Sequence, residues 1–290
     1  MSGIINDNGI ELKGHSGCML LIKNIDNKLL VYKYSASYAY NDRLMKQAEK
    51  QRIGYSHFDT CSVVDEGFKN GLYYFAMEYI NGSTLADYMH YIELSKIPGL
   101  AERLLSNFKN TGSYDANAND IFKKKINCLR SSIGTIGNKT VLMAFRELDS
   151  FGWDYLVSTK CHGDMTLENI LISGEKLYLI DFLDSFYDSW MIDLAKILQD
   201  LELGWSYRYC RESKSNLYVR RIILRDILIG KVLQMKDGEK IVDTVYHILL
   251  LNMLRIMPYV KDDETQEYIK NSLEFLLDIL NKKNWLKGAN

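Results

Sequence analysis

One short stretch limits the fold more than any other property of the chain. Cys161-His162-Gly163-Asp164-Met165-Thr166-Leu167-Glu168-Asn169 is followed by two brief β-forming runs, Leu171-Ile172 and Leu177-Tyr178-Leu179-Ile180, and then by Asp181-Phe182. Ser173-Gly174-Glu175-Lys176 between the runs has turn composition, so they read as a small hairpin. This is the one β-rich interruption in a long helical region. Apolar periodicity predicts helices over about 84–92, 118–131, 140–152, 189–203, 217–233, 238–257 and 263–281.

The first eighty residues differ. Met19-Leu20-Leu21-Ile22, Leu29-Leu30-Val31-Tyr32 and Tyr73-Tyr74-Phe75-Ala76-Met77 are short β-branched, aromatic and aliphatic runs. Asp26-Asn27 predicts a tight turn joining the first two. Asn41 to Gln51 is charged, lacks Gly and Pro, and reads as a helix capped by Asn41 or Asp42. Ser83 or Thr84 reads as the N-cap of the next helix. The expected class is α+β, with a β-rich domain over 1–80, a helical domain over 81–290 and a hinge near Glu78 to Gly82.

Composition narrows the function by exclusion. The net charge is −1, so no global field points to nucleic acid or an anionic membrane. Five cysteines stand at 18, 61, 128, 161 and 210, an odd count without metal or redox spacing. The start, MSGIINDNGIELKG, lacks the apolar core of a secretion signal. The strongest apolar run, Ile248 to Leu254, is broken by Asn252 and is too short to cross a bilayer. A cytoplasmic protein without membrane insertion is expected.

The segment around Asp164 suits phosphoryl transfer, which needs an acceptor hydroxyl held in line and cations on the phosphates. A carboxylate at Asp164 can orient the hydroxyl and take its proton. The amide oxygen of Asn169 and the carboxylate of Asp181 are hard ligands suited to Mg²⁺. Taken singly, His162 reads as a buried scaffold residue and each acid as a turn or cap residue. The ordered set, with a hairpin inside it, is what points to a kinase.

H-G-D-x-x-x-x-N followed by I-D-F resembles the aminoglycoside phosphotransferase and choline kinase family. The resemblance implies a protein-kinase-like bilobal fold, ATP and Mg²⁺ as cofactors, Asp164 as catalytic base, and Asn169 and Asp181 as metal ligands. It also implies a strand lysine and a helix glutamate. Lys33, ending Leu29-Leu30-Val31-Tyr32-Lys33, suits the first, and Glu49 in the following helix is the candidate for the second, although a Glu on a charged helix equally reads as a solvated residue. Gly14, Ser16 and Gly17 precede the lysine strand, where successive N–H groups can cradle an anion; a plain hairpin turn is the alternative. Met77-Glu78-Tyr79-Ile80 resembles the family's hinge, so backbone groups of Glu78, Tyr79 and Ile80 are expected to meet adenine.

The interval after Asp181 separates kinase types. A helix is expected from about Trp190, leaving no room for the long activation segment and A-P-E of protein kinases, and Leu183 stands where they carry glycine. Asp193, in D-L-A, matches a family aspartate that supports the catalytic loop, or is simply an acid near a helix N-terminus. Trp205, Tyr207, Arg208 and Arg211 open an arginine-rich segment running to Arg225. It reads either as a solvated basic face or as a pocket wall favouring a neutral or anionic polyhydroxy acceptor. Asp184, with Glu168 and Asp188, is the acidic counterpart that would suit a cationic acceptor. The expected activity is phosphorylation of a hydroxyl on a sugar, amino-sugar or amino-alcohol. The alternatives are a choline or ethanolamine kinase, an aminoglycoside 3′-type phosphotransferase, a nucleotide-binding scaffold without catalysis, and, last, a protein kinase.

Overall fold

The computed structural model describes residues 5–6, 9–12, 17–55, 58–106, 108, 113–133, 138–210, 215–283 and 285. The chain divides into two compact units. The first comprises Met1–Leu85 and Glu168–Asp184, the second Ala86–Leu167 and Ser185–Asn290. The hairpin foreseen at 170–180 therefore packs with the N-terminal residues, whereas a boundary near residue 80 keeps it with the helices. The α+β class is as expected, with a β-rich first unit and a larger helical second one.

The first unit holds two sheets. Strands β1 (Ile5–Asn6), β2 (Gly9–Leu12), β3 (Met19–Ile25), β4 (Lys28–Tyr34), β6 (Val63–Lys69) and β7 (Leu72–Glu78) form one, in the order β1-β2-β3-β4-β7-β6. Asp26 and Asn27, both with positive φ (49° and 63°), make the expected tight turn between β3 and β4. Short strands β5 (Asp59–Thr60), β8 (Ser83–Thr84), β9 (Ile170–Ser173) and β10 (Lys176–Leu179) form the second, in the order β5-β10-β9-β8. Ser83 and Thr84 are thus strand residues paired with Ile172 and Leu171, not a helix cap. Glycine is required just before them: a Cβ on Gly82 would lie 2.3 Å from the Ile172 carbonyl oxygen.

Helix α1 (Asn41–Ile53) buries Leu44, Gln47, Ala48 and Gln51, the i, i+3, i+4, i+7 stripe of an amphipathic helix. Leu44 and Ala48 join Val31, Phe75 and Met77 in the core of this unit. Asn41 does not cap α1. Its side-chain amide donates to the Gly71 carbonyl and its oxygen accepts the Tyr73 N–H, so it pins the turn between β6 and β7.

The second unit contains α3 (Ile97–Leu105), α4 (Ala118–Ile133), α5 (Lys139–Ser150), α6 (Trp190–Leu201), α7 (Ser215–Leu233), α8 (Gly238–Ile256) and α9 (Asp263–Lys282). The region expected to be helical at 84–92 contains only the single turn α2 (Leu85–Tyr88). Helix α6 is buried along its whole length and packs on α8. The apolar stretch of α8 continues to Tyr259, long and apolar enough by composition to cross a membrane, but its most apolar window is mostly buried within the protein.

Candidate active site

The first unit brings Lys33 to Asp181. Lys33 lies on β4 on the same face as Val31 and is only 3% exposed. Its ammonium is ion-paired with the Asp181 carboxylate and donates to Gln47 Oε1 at 3.3 Å. A buried ammonium requires such partners, because desolvating an unpaired charge costs several kcal/mol. Glu49, the expected partner on α1, is exposed. It stands two positions from Gln47, roughly opposite it on a 3.6-residue turn. The polar residue that α1 brings to Lys33 is Gln47, whose Nε2 in turn donates to the Tyr40 hydroxyl at 3.2 Å. An uncharged glutamine on an amphipathic stripe carried no signal in the sequence.

The β9–β10 hairpin sets Asn169 beside Asp181. Leu179 pairs with Ile170, and the Ile180 N–H donates to the Asn169 carbonyl at 3.1 Å, so the two candidate ligands flank the open end of the hairpin. Asp181 has φ +60°, an uncommon conformation for a non-glycine residue, and such residues cluster at functional sites. Beyond it, Leu183 accepts a bond from Lys50, and Asp184, exposed, pairs with Lys46 at 3.6 Å. At the end of β7, Glu78 and Tyr79 are exposed, and Ile80 packs against the core. The Tyr79 N–H is taken by the Leu29 carbonyl at 3.0 Å. Gly17 has φ +74° and leads into β3. Gly14 and Ser16 lie outside the described residues, as does Arg211.

The second unit holds the loop that carries Asp164, and α6 is its scaffold. Asp193 is fully buried, and its two carboxylate oxygens accept the N–H groups of His162 (2.7 Å) and Gly163 (2.8 Å). The supporting role foreseen for Asp193 thus has a geometric counterpart. Gly163 has φ +89°, a conformation that needs glycine. His162 is fully buried, and its Nδ1 accepts the Asp164 N–H at 3.2 Å. Two turns along α6, Asp200 accepts the Leu167 N–H at 2.6 Å and both the N–H and hydroxyl of Ser206. Burial pushes its carboxyl above the usual range against these bonds. Asp200 was not singled out from the sequence, yet two acids seven residues apart on a mainly apolar helix were the available signal.

Between these two acids, Lys196 reaches Asp164 Oδ1 at 3.0 Å. Burial pushes the Asp164 carboxyl upward; the Lys196 ammonium, with His162 and Arg255, outweighs it and holds the group below the ordinary carboxylate range. Asp164 remains about one-third exposed, with a side-chain exposure of 32%.

Among the described residues, the arginines of the 205–225 segment are engaged by groups of this chain. Arg208 donates to the Trp205 carbonyl at 2.8 Å, and its guanidinium lies over the rings of Trp205 and Tyr209. Tyr207 donates to the Ala86 carbonyl. Arg220 holds the carbonyls of His90 and Ile92, Arg221 that of Leu201, and Arg225 pairs with Glu202 and Asp226. Arg221 thereby satisfies a carbonyl at the C-terminal end of α6, which helix geometry leaves without a partner.

Residues 145–223 match the phosphotransferase enzyme family. A search of the curated proteins gives no match. Among solved structures, a thermostable mutant of aminoglycoside phosphotransferase APH(4)-Ia, in complex with ADP and hygromycin B, is 10% identical with a TM-score of 0.61, over 94% of each chain. The ethanolamine kinase of Plasmodium vivax is 14% identical with a TM-score of 0.56, over 96% of this chain and 84% of its own. Choline kinase LicA from Streptococcus pneumoniae is 16% identical with a TM-score of 0.52, over 92% of each. The expected enzyme class is borne out, since the matched family is one of phosphotransferases. Residues 145–223 are thus similar to the phosphotransferase enzyme family, and the chain has the fold that aminoglycoside phosphotransferases share with choline and ethanolamine kinases.

Proposed function

We propose that the protein transfers the terminal phosphoryl group of ATP to a hydroxyl of a small molecule, with magnesium as counterion, in the cytoplasm. The single observation that carries this is the arrangement at the β9–β10 hairpin. Asn169 and Asp181, hard oxygen donors five and seventeen residues after Asp164, flank its open end, with buried Lys33 on Asp181. Those residues suit a magnesium–triphosphate: Asn169 and Asp181 would hold the metal, and Lys33 would reach the phosphates. Bound magnesium supplies positive charge that offsets the phosphates.

The remaining work falls to Asp164. Its carboxylate takes the acceptor's hydroxyl proton as the acceptor oxygen bonds to the terminal phosphorus and the nucleoside diphosphate departs. Asp193 and Asp200 keep the loop carrying Asp164 rigid, so the base is held in place before the acceptor arrives. The acceptor class remains a sugar, amino-sugar or amino-alcohol. The arginines no longer support an anionic preference, because Arg208, Arg220, Arg221 and Arg225 all bond to this chain itself. A protein substrate is disfavoured by the eight residues between Asp181 and α6, too few for an activation segment.

The test is ATP consumption with kanamycin, choline, ethanolamine and simple sugars as acceptors, comparing wild type with Asp164→Asn. Loss of about a hundredfold or more in turnover, with the thermal shift by Mg-ATP retained, is expected. Wild-type turnover by the variant would remove Asp164 as base. No thermal shift of the wild type at millimolar Mg-ATP would refute the kinase function itself.

A further inference from the structure

Helix α6 presents three ionisable side chains to the catalytic loop, at positions 193, 196 and 200. The spacing i, i+3, i+7 sets them on one face. Asp193 and Asp200 hold backbone N–H groups, but Lys196 does something different: it touches the side chain of the base. Lysine in the middle of a helix buried along its length is costly unless paired. Lys196 has that pairing in Asp164, at 3.0 Å, with its own side chain 11% exposed.

We propose that Lys196 is a positioning residue for phosphoryl transfer, fixing the rotamer of Asp164 through Oδ1 and keeping its carboxylate ionised and ready to accept the hydroxyl proton. The inference rests on the kinase function proposed above. It assigns to α6 an electrostatic role beyond its structural one. A base works only in its deprotonated form, and Asp164 lies against buried protein that favours the protonated one. The charged groups acting on it are Lys196 from α6, His162 from the loop and Arg255 from the end of α8. Of these, Lys196 makes the strongest contribution, in salt-bridge contact with Oδ1 at 3.0 Å.

The experiment uses the intact protein with Lys196→Met, Lys196→Arg and Asp164→Asn. The first readout needs no acceptor: carboxyl ¹³C NMR titration, with the Asp164 signal assigned by its loss in Asp164→Asn. Lys196→Met should raise the Asp164 midpoint by about one pH unit or more, and Lys196→Arg should restore most of the shift. The second is phosphoryl transfer from Mg-ATP to whichever of kanamycin, choline, ethanolamine or glucose is turned over. There the acid limb of the pH–rate profile should move upward by a similar amount in Lys196→Met, with the KM for ATP little changed. In the Asp164→Asn background, Lys196→Met should cause no further loss of turnover. An unmoved Asp164 titration in Lys196→Met, or an equal loss of turnover with and without Asp164, overturns the inference. If Asp164→Asn itself turns over normally, it is the parent function that fails.

Discussion

Replacing Asp193 by alanine distinguishes a working clamp from an ordinary acid near a helix N-terminus. Asp193 is fully buried, and its carboxylate receives two backbone N–H groups, from His162 at 2.7 Å and Gly163 at 2.8 Å. Hydrogen bonds to charged acceptors contribute about 1.5–3 kcal/mol each, so removing both should destabilise the fold by about 3–6 kcal/mol. That is a large part of the roughly 5–15 kcal/mol typical of a folded domain. An acid acting only on the helix dipole contributes about 0.3–1 kcal/mol. Urea unfolding followed by circular dichroism separates the two, with Asp263→Ala, an exposed first-turn acid of α9, as the dipole-only control. Asp193→Asn should fall between, because its amide oxygen replaces one acceptor and its NH₂ opposes the other N–H. If Asp193→Ala costs no more than Asp263→Ala, the clamp is not energetically significant and α6 does not organise the catalytic loop as argued.

Other perturbations test separate parts of the molecule. Millimolar Mg-ATP should raise the melting temperature of the wild type, and Lys33→Ala should remove most of that shift, whereas Glu49→Ala should leave it nearly intact because Gln47 is the residue at the lysine. Arg221→Ala should destabilise the protein by about 1.5–3 kcal/mol, since it frees the Leu201 carbonyl, and should leave the acceptor KM unchanged. His247, buried on α8, donates from Nδ1 to the Asp243 carbonyl and from Nε2 to Glu147. Burial lowers its pKa, but these partners outweigh that and raise it above 6.5. Its contribution is therefore complete below pH 6.5 and lost as pH rises through the raised value. Urea midpoints measured from pH 5 to pH 9 should show this decline in the wild type and a flatter profile in His247→Gln. Glu147 and Asp243, both held low chiefly by hydrogen bonds from His247, act oppositely and withdraw support as pH falls through their own values.

How far the sequence foretold these features depended on whether a residue's role was local. The hairpin at 170–179 and the Asp26-Asn27 turn were legible because turn chemistry and period-two runs act over a few residues. Asp164, Asn169 and Asp181 were singled out through their order, and Asn169 and Asp181 do lie at the open end of the β9–β10 hairpin. Gln47 and Lys196 were not, because each works through a partner distant in the chain: fourteen residues for Lys33–Gln47 and thirty-two for Asp164–Lys196. The partners of the arginines after Trp205 were hidden for the same reason. Composition counted their charges but could not show that carbonyls at His90, Ile92 and Leu201 take them up. Ser83-Thr84 carried a cap signature, yet pairing with β9 claimed both residues for a strand.

The division of the first unit into 1–85 and 168–184 has a consequence for biosynthesis. Strand β5 finds its partner in β10 and β8 finds its own in β9, and Lys33 meets Asp181 across 148 residues of chain. When residue 85 leaves the ribosome, none of these partners exists. At about 5–20 residues per second, the N-terminal strands wait roughly 5–20 seconds for the hairpin that completes them. During that interval the edges of β5 and β8 have only solvent or a chaperone as company, and Lys33 lacks its carboxylate partner. A fragment ending at residue 85 would reproduce this nascent state and should bind holdase chaperones, whereas joining residues 168–184 to it by a flexible linker should restore a folded unit.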